Sequence, residues 1–245
     1  MKNEILTVKD LNRYLPAIKT NEDMKLGNKL REGLFLSDPI DGLANIPDES
    51  IDLIVTEPTS QPKNSSLSGK SPTFTNYIDW VDGWLEESKR VLSQNGSIYI
   101  ICPWEASSMY HSILDRKFIL QSRITAERKS EKKESGQWSN SISDIWFATK
   151  TRDYVFDQNY VVDGKVVNES NIKDTKDNLW FHLDYDEILH RILKTSSFKL
   201  HWVLDPFMGV GNVGSVAKKR GRRFIGFESN QDQLLLAMKN INEGD

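Results

Sequence analysis

Three segments of the chain combine residue types that could do chemistry. In Val203-Leu-Asp205-Pro-Phe207-Met-Gly209-Val-Gly211-Asn-Val-Gly214 an apolar run leads into a helical pattern through closely spaced glycines. Glycines directly after a strand let the backbone turn tightly and leave N–H groups facing a ligand at a helix N-terminus. Arg223-Phe-Ile-Gly-Phe-Glu228 follows, and a carboxylate ending that strand can accept hydrogen bonds from both hydroxyls of a ribose. The same glycines satisfy the G-x-G-x-x-G pattern of dinucleotide folds, although a tight strand–helix turn without a ligand needs them too. Glu57-Pro58-Thr59-Ser60 closes another apolar run, Ile51–Val55. The third segment, residues 116–133, carries Arg116, Lys117, Arg123, Arg128, Lys129, Lys132 and Lys133 against Glu127 and Glu131, with Trp138 and Trp146 close behind. Cations beside aromatics suit contact with a phosphate backbone and stacking on bases; a solvated charged loop has the same composition.

The elements that must position these residues alternate between strand and helix. Apolar runs at Gly33–Leu36, Ile51–Val55, Ser97–Cys102, Phe118–Thr125, Ser143–Ala148, Tyr154–Val155, His201–Leu204 and Arg223–Phe227 read as strands. Helical spacing marks Val8–Leu15, Ile40–Ile46, Tyr77–Leu92, Met109–Leu114, Tyr185–Thr195, Gly209–Lys219 and Gln231–Ile241. Asn95-Gly96 predicts a turn, while residues 56–74 and 162–177 are polar and loop-like. The expected fold is an α/β sheet, mostly parallel, covered by helices on both faces. A polar lead-in over residues 1–30 precedes a single domain over 31–245, within which 116–180 holds the nucleic-acid-contact and recognition segment.

Position along the chain separates this reading from an ordinary dinucleotide domain. A Gly-rich turn of that kind normally begins the fold. Here only 31 residues follow Gly214, so most of the sheet comes from upstream sequence and the fold is permuted. That order, together with Asp205-Pro-Phe207-Met-Gly209-Val-Gly211, resembles the β-class DNA N6-adenine/N4-cytosine methyltransferases, in which the catalytic motif precedes the cofactor motif. The resemblance extends over roughly residues 28–242. It includes Asp41-Gly-Leu-Ala-Asn-Ile-Pro-Asp-Glu-Ser-Ile-Asp-Leu-Ile-Val-Thr56 ahead of the catalytic strand and Leu92–Ile101 after the catalytic helix.

The resemblance implies a permuted, Rossmann-like fold that binds S-adenosylmethionine. Asp205, Phe207, Gly209 and Gly211 would surround its methionine part, Glu228 would take its ribose and Asp38 would face its adenine. It also implies that Glu57 and Pro58 are catalytic. In the family an acid or small polar residue and the first proline's carbonyl accept hydrogen bonds from the target amino group, and an aromatic fourth residue stacks on the flipped base. Here the tetrapeptide is Glu-Pro-Thr-Ser, with a longer acid and no ring. Phe74, Tyr77 or Trp80 could supply a ring from downstream. Val210 and Asn212 stand where the family has small hydroxyl residues, and Asp184 and Tyr185 where it has a Lys-Pro pair. Two readings stay open: a methyltransferase with weakened catalysis, or an inactive DNA-binding subunit beside an active one. The second is similar to the Glu-Pro partner of the eukaryotic mRNA adenosine methyltransferase pair. An unrelated nucleotide-binding α/β enzyme is a third.

Composition narrows the partners. A net charge of −3 over 245 residues excludes a uniformly basic coat but leaves room for a local basic groove. Lys218, Lys219, Arg220, Arg222 and Arg223 sit at a helix end, where complementing the helix dipole is the expectation. A single cysteine, Cys102, excludes disulfides within the chain and a cysteine-rich zinc site, and His111, His182, His190 and His201 have no metal-ligand spacing. No apolar run approaches a membrane span. With these exclusions, the resemblance implies DNA (or RNA) and a second methyltransferase chain, identical or active, as partners, in the cytoplasm.

Overall fold

The computed structural model describes residues 5–24, 30–58, 74–127, 140–157 and 177–243. The strands are β1 (Lys19–Thr20), β2 (Gly33–Leu36), β3 (Ile51–Thr56), β4 (Leu92–Pro103), β5 (Ile119–Glu127), β6 (Ile142–Thr149), β7 (Leu179–Trp180), β8 (Trp202–Asp205) and β9 (Arg223–Glu228). The helices are α1 (Val8–Tyr14), α2 (Asn21–Met24), α3 (Pro39–Leu43), α4 (Phe74–Val91), α5 (Trp104–Lys117), α6 (Tyr185–Ser196), α7 (Asn212–Lys219) and α8 (Gln231–Glu243). They form one sheet in the order β1-β2-β9-β8-β3-β4-β6-β5-β7. The first six strands in that order are parallel, and β6 enters antiparallel between β4 and β5.

Side-chain alternation divides the sheet into two apolar faces, as strand geometry requires. Ile54, Ile98, Ile100 and Leu204 pack with Val81, Trp84 and Leu85 of α4 and with Tyr110 and Ile113 of α5. Leu53, Val55, Tyr99 and Val203 pack on the other face with α6, α7 and α8 through Ile188, Leu189, Val213, Val216 and Leu234. Strands buried on both faces explain why they read as continuous apolar runs. The late strand β8 lies beside the early strand β3, with Leu53 opposite Val203 and Ile54 opposite Leu204. From β8 the chain passes through α7 to β9 on one side; from β3 it passes through α4 to β4 on the other. The strand order therefore reverses between β8 and β3, the place where open α/β sheets leave a crevice at their carboxyl ends.

Several sequence expectations are corrected. Asn95-Gly96 lies inside β4, where the register with β3 shifts between the Ile51 and Leu53 pairings, so the chain bulges there instead of turning. Tyr154–Val155 forms no strand; the Tyr154 and Phe156 rings pack on Phe147, with centroids 5.7 and 5.9 Å away. Helix α7 begins at Asn212 because Gly209 (φ 54°) and Gly211 (φ 84°) adopt left-handed backbone that an α-helix cannot contain. The edge strands β1 and β7 have only two residues each and leave no periodicity to read.

The third glycine of the motif has a packing role. A Cβ on Gly214 would stand 2.5 Å from atoms of both Phe224 and Ile241, so α7 can approach β9 and α8 only without it. Gly214→Ala should lower stability by roughly 1 kcal/mol or more in urea unfolding, overpacking outweighing the gain in helix propensity. A more stable variant would show that this contact is loose.

Candidate active site

The carboxyl ends of β8 and β3 meet at a buried carboxylate. Asp205, the last residue of β8, is 3% exposed. Thr56, the last of β3, donates its hydroxyl to Asp205 Oδ1 at 2.7 Å, and the Phe207 N–H reaches the same oxygen at 3.1 Å. Burial pushes the Asp205 carboxyl up to about 7, against those two donors, and the nearby Glu228 and Glu57 charges push in the same direction.

Past Asp205 the chain turns through the glycine segment. The Met208 N–H bonds the Phe227 carbonyl, and the Gly211 N–H closes the turn on the Met208 carbonyl, both at 2.9 Å. The Gly209 N–H reaches across to Glu228 Oε2 at 3.0 Å, while the Asn230 N–H holds Oε1 at 2.8 Å. Two backbone donors thus orient the Glu228 carboxylate, and each oxygen keeps a lone pair for a ligand hydroxyl. A Cβ on Gly209 would meet nothing nearer than Gln233 Oε1 at 3.9 Å, so that backbone faces open space. Beside it, the half-buried Phe207 ring meets Trp80 and Trp84 edge-on, at 5.3 and 5.1 Å. Asp38 lies just past the end of β2, where Leu36 pairs with Glu228; its Oδ1 accepts from the Ile40 N–H at 2.9 Å as the cap of α3. An aromatic wall, an open glycine turn and a tethered carboxylate fit a nucleoside bearing an amino-acid tail. All six residues proposed for the cofactor therefore lie at the carboxyl ends of three neighbouring strands, β2, β9 and β8.

Glu57 and Pro58 extend β3 at the same edge; Pro58 is buried and Glu57 half-buried. Glu57 Oε2 accepts a 3.0 Å hydrogen bond from the Tyr185 hydroxyl. Tyr185 opens α6 behind a capping box, in which Asp184 Oδ1 accepts from the Glu187 N–H at 2.8 Å and Glu187 Oε2 accepts from the Asp184 N–H at 2.7 Å. The position that departs from the family's Lys-Pro pair thus touches the position that departs from its acid. Thr59 and Ser60 lie outside the described residues. Among the rings considered for base stacking, Tyr77 stacks on Trp80 at 5.7 Å and Trp80 in turn meets Phe207; the Phe74 side chain lies outside the described residues. Sequence reasoning missed Thr56 and Trp84. The aromatic spacing Tyr77, Trp80, Trp84 on one helix was the available signal for the latter.

Of the basic stretch the structure describes Arg116, Lys117 and Arg123. Helix α5 runs from the carboxyl end of β4 back to the amino end of β5, which puts Arg116 and Lys117 at the edge opposite Glu57. There Arg116 pairs with Asp82, and Lys117 pairs with Asp82 and Glu86. Arg123 forms two bonds, 2.8 and 3.0 Å, to the fully buried Asp144. These three cations each pair with a carboxylate of this chain. Arg128, Lys129, Lys132, Lys133 and Trp138 lie outside the described residues. In the second cluster, the buried Arg222 donates to the Leu193 and Ser197 carbonyls at the end of α6, Lys218 pairs with Glu32, and Arg223 lies over Trp202. Those three cations are engaged within the fold. At the carboxyl edge, Trp104 and Phe181 are 55% and 49% exposed. Among the described residues no group of three His, Cys, Asp or Glu could hold a metal ion, and no helix is long and apolar enough to cross a membrane.

Known proteins share the sequence pattern and the fold. A family described as DNA methylase, of the N6/N4 type, matches residues 51–239. The type II methyltransferase M.HinfI of Haemophilus influenzae is 26% identical over 88% of this chain and 70% of its own. The PvuII DNA methyltransferase, described as cytosine-N4-specific, superposes with a TM-score of 0.71 at 16% identity, over 91% of this chain and 88% of that one. The M1.HpyAVI–SAM complex gives a TM-score of 0.60 at 18% identity, over 85% and 98%.

The raised Asp205 carboxyl sets a pH dependence. Between the unfolded value near 4 and the folded value of about 7, the folded chain holds a proton that the unfolded chain releases, so this group's contribution to stability falls as pH rises through that window. Asp205→Asn, a neutral isostere, should match the wild type near pH 4 and exceed it by about 4 kcal/mol at pH 8. Parallel pH–stability curves would contradict the buried, proton-holding carboxyl.

Proposed function

The chain belongs to the DNA methylase family of N6/N4 type, and from that premise we propose that it methylates the exocyclic amino group of adenine or cytosine in DNA, using S-adenosylmethionine. One observation carries the proposal: the acid and proline of the tetrapeptide and the glycine turn with its tethered carboxylate stand on either side of a single switch point, joined by the Thr56–Asp205 bond. Bound S-adenosylmethionine supplies an electrophilic methyl group. Glu228 takes its ribose hydroxyls, Phe207 and the 209–211 backbone line its amino-acid tail, and Asp38 faces its base. Glu57 and the Pro58 carbonyl accept the N–H bonds of the target amine, which frees its lone pair and aims it across the switch point. Exposed Trp104 and Phe181 offer apolar rings to DNA along that edge.

The tetrapeptide makes this a slow enzyme. Absence of a ring at residue 60 forfeits base stacking of roughly 1–3 kcal/mol, or about 5- to 150-fold. The same defect favours the second reading, a DNA-binding subunit beside an active methyltransferase. In either case we place the protein in the cytosol, as a homodimer or a heterodimer.

Labelled S-adenosylmethionine, unmethylated genomic DNA and nucleoside digestion decide between the readings. The purified chain should label N6-methyladenine or N4-methylcytosine, and Glu57→Ala should reduce the rate by at least about 100-fold. Label that appears only with an intact partner, and that ignores Glu57→Ala, would replace the first reading with the second.

A further inference from the structure

The glutamate at position 57 raises a geometric difficulty. Its carboxylate reaches one carbon–carbon bond further than an aspartate's and carries an extra rotatable bond. Misplacing a catalytic group by about 1 Å can cost on the order of 100-fold in rate, and an unrestrained longer side chain spreads over several rotamers. Something must fix that carboxylate if it is to act.

The partner is in place. The Tyr185 hydroxyl donates to Glu57 Oε2 at 3.0 Å across 128 positions of sequence. Tyr185 is itself held firmly. It is the first residue of α6, whose start is closed by the reciprocal Asp184–Glu187 capping box. Ile188, Leu189, Ile192 and Leu193 bury the helix in the core, and the Tyr185 side chain packs at the edge of that core. A phenol on a rigid helix start has two torsions to set, so its hydroxyl makes a defined anchor. An ionised carboxylate has about four acceptor positions, and the tyrosine occupies one. Oε1 has no donor among the described residues, which leaves it for an incoming N–H.

We propose that Tyr185 is a positioning residue that holds the longer Glu57 carboxylate at the point where a substrate amino group is received, so that the chain's two departures from its family, at 57 and at 185, form one compensating pair. The inference rests on the reading of Glu57 as the acceptor of a methyltransferase. Tyr185 holds the acid with a directed neutral donor and brings no charge of its own.

The test is a double-mutant cycle on the full chain, with labelled methyl transfer to unmethylated genomic DNA read as kcat and KM for S-adenosylmethionine. Tyr185→Phe removes one oxygen and keeps the ring and its packing. It should lower kcat roughly 10- to 100-fold while KM and the melting temperature stay near wild type. In a Glu57→Asp background the carboxylate retracts from the hydroxyl, so adding Tyr185→Phe should change kcat by less than about 2-fold. An unchanged or raised kcat in Tyr185→Phe, or equal losses in both backgrounds, would overturn the positioning role and leave the methyltransferase reading standing. Absence of transfer by the wild type would overturn both.

Discussion

A buried carboxyl that two strands share is the constraint on which this architecture turns. Asp205 ends β8 with almost no exposure and is tolerated there because Thr56 of β3 and the Phe207 N–H both donate to it. Leaving such a group without donors costs about 1–3 kcal/mol, and more if charged. Satisfying it requires the ends of β3 and β8 to lie level. That requirement sets the register of the segments that follow, the tetrapeptide on one side and the glycine turn on the other. A permuted chain brings these segments together from positions 149 residues apart, and the Thr56–Asp205 bond closes that separation.

The two sides are then furnished differently. On the glycine-turn side the donors are backbone: Gly209 and Asn230 hold Glu228, so that carboxylate's orientation follows from the fold of the turn. The wall is aromatic and is supplied by α4, whose Trp80 and Trp84 meet Phe207. On the tetrapeptide side the donor is a side chain, Tyr185, mounted on α6 from the opposite face of the sheet. Helices from both faces therefore meet at one crevice, and the stability of each face contributes to the geometry of the site.

Much of this was legible in the residues themselves. Seven of the strands and most of the helices announced themselves by periodicity, and the glycine turn's late position revealed the permutation before any coordinates. What escaped was long-range pairing. Thr56 is an unremarkable strand residue until β8 is placed beside it, and Tyr185 reads as a lost family position until its hydroxyl is seen on Glu57. Charge partners were equally hidden: Arg116 and Lys117 end α5 and Arg123 lies within β5, and each pairs with a carboxylate that the local sequence does not point to. The two-residue edge strands and the bulge at Asn95-Gly96 depend on neighbours that the local sequence does not specify.

The central claim is that cofactor and substrate amine meet between β8 and β3. The structure of the chain with S-adenosylmethionine bound tests it most directly. The account predicts the ribose hydroxyls on Glu228, the ligand's sulfur beyond Phe207 with its methyl group turned toward Glu57 and Pro58, and the Tyr185 hydroxyl still on Glu57. A ligand bound away from the glycine turn, or seated there with its methyl group turned from β3, would contradict it.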